Sequence, residues 1–159
     1  FSEIGGDENA TRASSTGDTV FTVEDRWMVS GDVDDPAAPS VPHVMYGLYG
    51  AGSPALTPAT VATRVYQVGA PSNNLRGMKV TFGPITIAAG STRRLLFFTG
   101  LYARVANATA AATALGSTTS CAFYGLTANQ RLEIANWSLA ASPAATQCLR
   151  LNLTSVLRQ

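Results

Sequence analysis

The chain has 159 residues, enough for one domain with a buried core, and a second domain would be hard to accommodate. Charged residues make up 13% of the chain, about half the usual share, so small uncharged polar residues must cover much of the surface. No run of about 18 apolar residues occurs, which excludes a membrane-spanning helix in this sequence.

Charge is divided unevenly along the chain. Residues 1–35 carry nine acids and two arginines, a net charge of −7, whereas residues 36–159 carry nine bases and one acid, a net charge of +8. Because opposite charges attract, the acidic part either folds back on its own body or contacts the body of a neighbouring copy. The scattered bases, with one lysine and no cluster of arginines and aromatics, indicate no nucleic-acid partner.

Residues 1–18 predict a flexible acidic arm, followed by a single domain at residues 19–159. The arm is rich in Gly, Ser, Thr and acid, and offers only Phe1 and Ile4 for burial. Such an arm is either disordered or lies along an edge strand of a neighbouring subunit, with Phe1 and Ile4 in pockets. Docking of the second kind is head to tail and propagates into a fibre. A first residue other than Met agrees with export and removal of a leader.

Hydrophobic alternation predicts most of the remaining chain as strands. In residues 19–31 the apolar side chains, Phe21 and Trp27 among them, share one face, which is typical of a sheet with its other face in water. Gly83-Pro84 predicts an interruption within a later strand, and the apolar run from Leu95 to Phe98 indicates a strand buried on both faces. Further strands are predicted at residues 43–50, 63–68, 76–90, 91–102 and 147–157.

Helical periodicity near residues 101–137 predicts a two-helix insertion. Apolar residues recur at steps of four and three from Leu101 to Leu115, and Gly116 follows where a C-terminal cap belongs. Thr127 and Gln130 have the spacing of a capping box at the start of a second helix. Strands followed by two helices and a closing strand predict a mainly β fold, an antiparallel β-sandwich of jelly-roll or Ig-like type with a helical insertion.

The two cysteines, Cys121 and Cys148, form either a disulfide or a pair of buried thiols. No C-x-x-C occurs and the chain has a single His, which argues against a zinc site. A disulfide would place the protein in an oxidising compartment, so we expect it outside the cell or on the cell surface. Four asparagines lie in sequons that a glycosylating host could modify: Asn9, Asn107, Asn136 and Asn152.

Residues suited to catalysis are scarce. The one His, His43, has no acid within several residues, and Glu133 is the one acid beyond position 35. General acid–base chemistry and paired-carboxylate hydrolysis both need more titratable side chains on the folded scaffold than these, so we expect neither enzyme activity nor a cofactor. The best metal candidate is the loop flanked by Gly31 and Pro36, whose carboxylates would suit calcium: Asp32, Asp34 and Asp35. Asx turns before a proline explain the same aspartates without an ion.

Aromatic residues offer a possible platform for a glycan ligand. Most of them stand beside apolar neighbours at strand parity, which favours packing in the core. The residues concerned are Trp27, Tyr46, Tyr49, Tyr66, Tyr102, Tyr124 and Trp137.

A pattern carried by three segments resembles a domain found in large secreted proteins of high-GC bacteria. The segments are DRWMVSGDVDDP, ITIAAGSTRRLLFFTGLYAR and GLTANQRLEIANWSL, and the resemblance covers roughly residues 20–140. It implies an extracellular, non-catalytic β-sandwich with a helical hairpin, and it supplies no active site. The chain's ten arginines to one lysine fit a GC-rich genome.

Three functions agree with these observations. The leading hypothesis is an extracellular structural subunit that assembles head to tail into a surface fibre, pilus-like filament or sheath, with the N-terminal arm docked on the next subunit. The second is a cell-surface module of adhesin type that binds glycan or protein, with or without calcium. The third is a virion coat or decoration protein, because low charge and a sandwich suit capsids equally well.

Overall fold

The computed structural model describes residues 9–32, 42–65 and 77–139, together with Cys148. Within these residues six strands form two antiparallel sheets, and two short α-helices follow the last strand, which confirms the mainly β, sandwich-like fold. The strands are β1 (Asn9–Ser14), β2 (Trp27–Asp32), β3 (His43–Gly47), β4 (Pro58–Val65), β5 (Gly77–Phe82) and β6 (Phe98–Tyr102); the helices are α1 (Val105–Ala114) and α2 (Ala128–Glu133), with a 3₁₀ turn at Cys121–Phe123.

The larger sheet has the strand order β1-β2-β3-β6, and its central strands are buried on both faces. Met28 pairs with Tyr46 and Val29 with Met45, so successive residues of β2 enter two separate cores. The prediction of one face in water for residues 19–31 is therefore wrong. We call the two surfaces of this sheet the hairpin face, covered by β4 and β5, and the helix face, covered by α1 and the residues after it.

The core on the hairpin face joins the two sheets. Its buried members come from the larger sheet and its loops, and the smaller sheet of β4 and β5 adds three half-buried side chains. Complete burial of one such side chain stabilises the fold by about 1.5–3 kcal/mol, so this cluster helps to hold the two sheets together. The cluster consists of Phe21, Met28, Val44, Tyr46, Leu48 and Tyr49, with Val61, Met78 and Val80 packed against it.

The core on the helix face forms around α1. Ala108 and Ala112 lie one turn apart and are fully buried, because two short side chains let the helix approach the sheet closely. Gly47 makes room in the same way, since a Cβ there would stand 2.7 Å from Leu115 Cδ1. Three aromatic rings complete the cluster with centroids 5.2–5.6 Å apart: Phe98, Phe123 and Trp137.

The prediction of a flexible arm over residues 1–18 is wrong from Asn9 onward, because a strand begins there. Residues Asn9–Ser14 form β1, which pairs antiparallel with β2 and places Ser14 opposite Met28. Polar residues are tolerated there because β1 is an edge strand with one side free of a described neighbour. Phe1 and Ile4, the predicted docking residues, lie outside the described residues.

Other strand predictions hold in part. The strand predicted for residues 19–31 begins only at Trp27, and a loop precedes it, while β3 lies inside the predicted 43–50. The break at Gly83-Pro84 is confirmed, since β5 ends at Phe82. The strand predicted at residues 147–157 lies outside the described part of the chain apart from Cys148.

Both predicted helices are present. α1 ends at Ala114, two residues before Gly116, whose N–H donates to Thr113 O. At the start of α2 the Thr127 side chain accepts a hydrogen bond from Gln130 N and the Gln130 side chain accepts one from Thr127 N, which confirms the capping box.

Candidate functional site

The most unusual surface of the described chain is the connection between β5 and β6, residues 83–97, which we call the finger. Twelve successive residues, 84–95, are exposed, and none of them belongs to a regular strand or helix. Apolar side chains are nevertheless frequent in it: Ile85 is 39% exposed, Ile87 56%, Leu95 38% and Phe97 48%. Large apolar side chains grouped on a projecting segment are typical of a binding surface.

The finger has a tight turn at its tip, which divides it into a first limb, residues 83–88, and a second limb, residues 91–97. Ser91 N donates to Ala88 O at 3.0 Å, and Gly90 has a φ of +74°, which is the geometry of a type II turn with glycine at its third position. A side chain larger than hydrogen would strain that backbone conformation. The tip is therefore defined by local sequence.

The base of the finger is fixed to the domain. The rings of Phe82 and Phe97 lie 5.6 Å apart and bring the two limbs together where they leave the domain. Arg94 N donates to Glu133 O at 2.8 Å, and the Arg94 side chain forms an ion pair with the Glu133 carboxylate at 2.6 Å. An isolated parallel bridge between Arg94 and Ile134 is the finger's single ladder contact among the described residues. The finger is thus held at its base, while the residues of its tip are exposed.

Asn136 holds the end of the finger's second limb at Leu96. The residue is fully buried; its Nδ2 donates to Leu48 O and to Leu96 O, each at 2.7 Å, and its Oδ1 accepts from Leu96 N at 2.9 Å. Trp137 Nε1 donates to the same Leu96 carbonyl at 2.7 Å. The side-chain amide to which a glycan would be attached is buried and already hydrogen-bonded to the backbone. The prediction of a glycan at Asn136 is therefore wrong for the folded chain.

The structure does not exclude glycosylation at the other three sequons. Asn107 is exposed in the first turn of α1, where a glycan would meet no obstacle from its own helix. The backbone of Asn9 begins β1. Asn152 lies outside the described residues, and glycosylation of these three asparagines stays a prediction.

Asp25 organises the loop at residues 15–26, which joins β1 to β2. The carboxylate is fully buried and accepts five hydrogen bonds, from Ser15 Oγ and from the backbone N and hydroxyl of both Thr16 and Thr22, at 2.8–3.4 Å. Burial alone would raise the pKa of Asp25, but donors led by the Thr22 and Thr16 groups lower it below its ordinary value. The Asp25 carboxylate therefore stabilises the conformation of its own loop.

The predicted metal and catalytic candidates do not form a described site. Asp32 ends β2, while Asp34 and Asp35 lie outside the described residues, so calcium binding there stays a prediction. In the part of the chain that the structure describes, no group of three or more His, Cys, Asp and Glu residues could hold a metal ion. The His43 ring is fully buried beside Gly31, where a Cβ would collide with it.

Cys121 and Cys148 are joined, with their Cα atoms 5.2 Å apart, so the disulfide alternative is confirmed over two buried thiols. The bond attaches Cys148 to the 3₁₀ turn beside the helix-face core. A covalent closure of this length restricts the unfolded chain and is typical of proteins in oxidising compartments.

Most of the aromatic candidates for a glycan platform lie inside the fold. Trp27, Tyr46, Tyr49 and Trp137 are buried in the two cores, which confirms the interpretation that they pack there. Tyr124 is exposed, and Tyr66 lies outside the described residues.

Comparison of the chain with protein-family models, with curated proteins and with solved structures found no match. The resemblance to a domain of secreted bacterial proteins therefore stays a prediction. None of the helices in the described ranges is long and apolar enough to cross a membrane.

Proposed function

We propose that this chain is an extracellular structural subunit that assembles with further copies of itself into a filament or sheath. The observation that carries the proposal is the finger: twelve exposed residues with an apolar content suited to an interface, held on an anchored base and left uncovered by the described chain. A segment built in this way gains most when another molecule covers it. The finger, rather than an N-terminal arm, is then the docking element.

The disulfide supports an extracellular compartment. The bond between Cys121 and Cys148 supports an oxidising environment, and the low charge of the chain agrees with a densely packed assembly. A polymer also explains why the net charges of residues 1–35 and 36–159 are opposite, because copies that meet end to end attract one another. In the described residues the one ion pair, between Arg94 and Glu133, lies wholly within the basic part.

Ile85 and Ile87 offer a test of the finger, because burial of their side chains would contribute to the free energy of association. Their exposed fractions, 39% and 56%, together equal about one isoleucine side chain. Burying that much apolar surface stabilises an interface by about 1.5–3 kcal/mol, which corresponds to about 10- to 100-fold in the dissociation constant. The doubly substituted Ile85→Asn, Ile87→Asn chain should therefore associate at least tenfold more weakly (about 1.4 kcal/mol) than the original chain.

The experiment compares the full oxidised chain, this finger variant and a matched control by sedimentation velocity over a concentration series and by negative-stain microscopy. The control is Val20→Gln, because Val20 is 62% exposed in the loop that joins β1 to β2 and is no part of the finger or of the residues that anchor it. We expect the original chain and the control to form multimers over the same concentration range, and the finger variant to need at least tenfold more protein to do so. An original chain that is monomeric at submillimolar concentration contradicts the proposal, and so does a finger variant that assembles normally.

A further inference from the structure

The surface that receives the finger should itself be apolar, exposed and free to accept a strand. Such a surface lies on β6. Among the described strands β6 pairs with β3 alone and forms an edge of the larger sheet. Leu101 shares the hairpin face with its cross-strand partner Val44, yet Val44 is buried and Leu101 is 64% exposed. The smaller sheet therefore covers β2 and β3 and stops short of β6.

The finger and β6 present matching rows of side chains. Ile85 and Ile87 are two residues apart on the first limb, and Thr99 and Leu101 are two residues apart on β6. In a strand each such pair spans about 6.6–7 Å on one face, so the limb, once added as a strand, would match the spacing of the β6 row. Both rows are exposed in the same molecule, which means that the limb does not cover the β6 row of its own chain.

We propose that residues 84–88 of one copy add to β6 in a second copy, at the edge where no described strand pairs, with Ile85 beside Thr99 and Ile87 beside Leu101. This inference rests on the proposed function and names the partner surface for it. Backbone hydrogen bonds of an added strand supply affinity, and the two isoleucines supply selectivity. Pro84 stands at the start of the added strand, where its missing N–H is tolerated. Finger and β6 are different surfaces, so the contact is heterologous and repeats from copy to copy.

Charge favours a parallel alignment of the added limb with β6. β6 ends at Tyr102, opposite His43, at the end of the sheet where β1 begins and β2 ends. A parallel limb points its tip, followed by the exposed Arg93, toward that end. Five acids adjoin the same two strand ends in the sequence: Glu3, Asp7 and Glu8 before Asn9, and Asp34 and Asp35 after Asp32. Parallel alignment places Ile87 beside Leu101.

Thiol cross-linking tests the contact directly. Ile87→Cys and Leu101→Cys chains are prepared separately with the native disulfide intact, mixed, and treated with a short bismaleimide that joins free thiols only. We expect a covalent dimer from the mixture and a ladder of multimers from the doubly substituted chain. The matched control, Ile87→Cys mixed with Val20→Cys, should give no linked product, because the loop that holds Val20 leads into the start of β2, at the end of the sheet opposite Leu101.

Each other outcome overturns a defined part of the inference. Linkage of Ile87→Cys to itself would replace the heterologous contact by a two-fold one, and preferential linkage of Ile85→Cys to Leu101→Cys would overturn the parallel alignment. Multimers without the 87–101 product, or a Leu101→Asn chain that associates as tightly as the original instead of about tenfold more weakly, would exclude β6 and leave the proposed function standing. Absence of any multimer would overturn both.

Discussion

Replacing Asn136 by alanine should destabilise the fold severely, although the side chain contacts no ligand. The substitution removes three hydrogen bonds to the backbone of Leu48 and Leu96. Leu96 O keeps the bond from Trp137 Nε1, whereas Leu96 N and Leu48 O lose the contact with the amide. Leaving a buried polar group without its partner costs about 1–3 kcal/mol, so two such groups cost about 2–6 kcal/mol. That is a large part of the about 5–15 kcal/mol that stabilises a typical domain.

Equilibrium unfolding in urea measures this loss. Trp137 neighbours the substituted position and Trp27 lies in the same core, so tryptophan fluorescence follows the unfolding of that region. The midpoint should fall while the slope against urea stays constant, because the surface exposed on unfolding hardly changes. Asn129→Ala is the matched control, since Asn129 is exposed on α2 and its loss should change stability by less than about 0.5 kcal/mol. An Asn136→Ala chain within that same margin would refute the reasoning.

Two further substitutions test the loop of residues 15–26 and the packing of Gly50. Because the folded-state pKa of Asp25 is depressed, its contribution to stability is present above the unfolded pKa and is lost as pH falls through the folded value. Asp25→Asn should therefore lower the unfolding free energy at neutral pH by about 1.5–3 kcal/mol, and a difference from the original chain that does not shrink below about pH 4 would count against this account. Gly50→Ala would place a Cβ 2.9 Å from Trp137 Cε3 and 3.2 Å from Trp137 Cα, so thermal denaturation should show a loss of about 1–3 kcal/mol. Gly83→Ala, which meets nothing within 4 Å, should leave the melting temperature nearly unchanged or slightly higher, and equal effects at the two glycines would exclude the steric explanation.

Features set by neighbouring residues were predictable from the sequence. The capping box of Thr127 and Gln130, the interruption at Gly83-Pro84 and the periodicity of α1 depend on backbone chemistry within a few positions, so the pattern and the structure agree. The sandwich class follows from the order of strands and helices in the same way. The pairing of the cysteines was open between two alternatives, and only the three-dimensional placement of Cys121 and Cys148 decides it.

Features set by distant contacts were not predictable. Phe21 and Trp27 have the same parity in the sequence, yet they enter opposite cores, because the loop between them bends around the Asp25 carboxylate. The donors to that carboxylate come from positions three to ten residues away, and no local pattern marks them. β1 was missed for a related reason: its residues have weak strand propensity, and pairing with β2 determines their conformation.

The finger was mispredicted for a reason that bears on function. Its first limb has the β-branched, alternating pattern of a strand, and the apolar run that follows indicates a buried one. Ile87 and Phe97 are nevertheless about half exposed, and the first limb pairs with no described strand. A strand needs a neighbour to satisfy its backbone and cover its side chains, and the described chain offers the limb none. β6 lacks a neighbour in the same sense, since no described strand pairs with its outer edge, beside the exposed Leu101. The first limb of one copy could pair with β6 of the next copy and so give each strand its missing neighbour. A segment with strand propensity that forms no strand within its own chain is therefore an argument for assembly between chains.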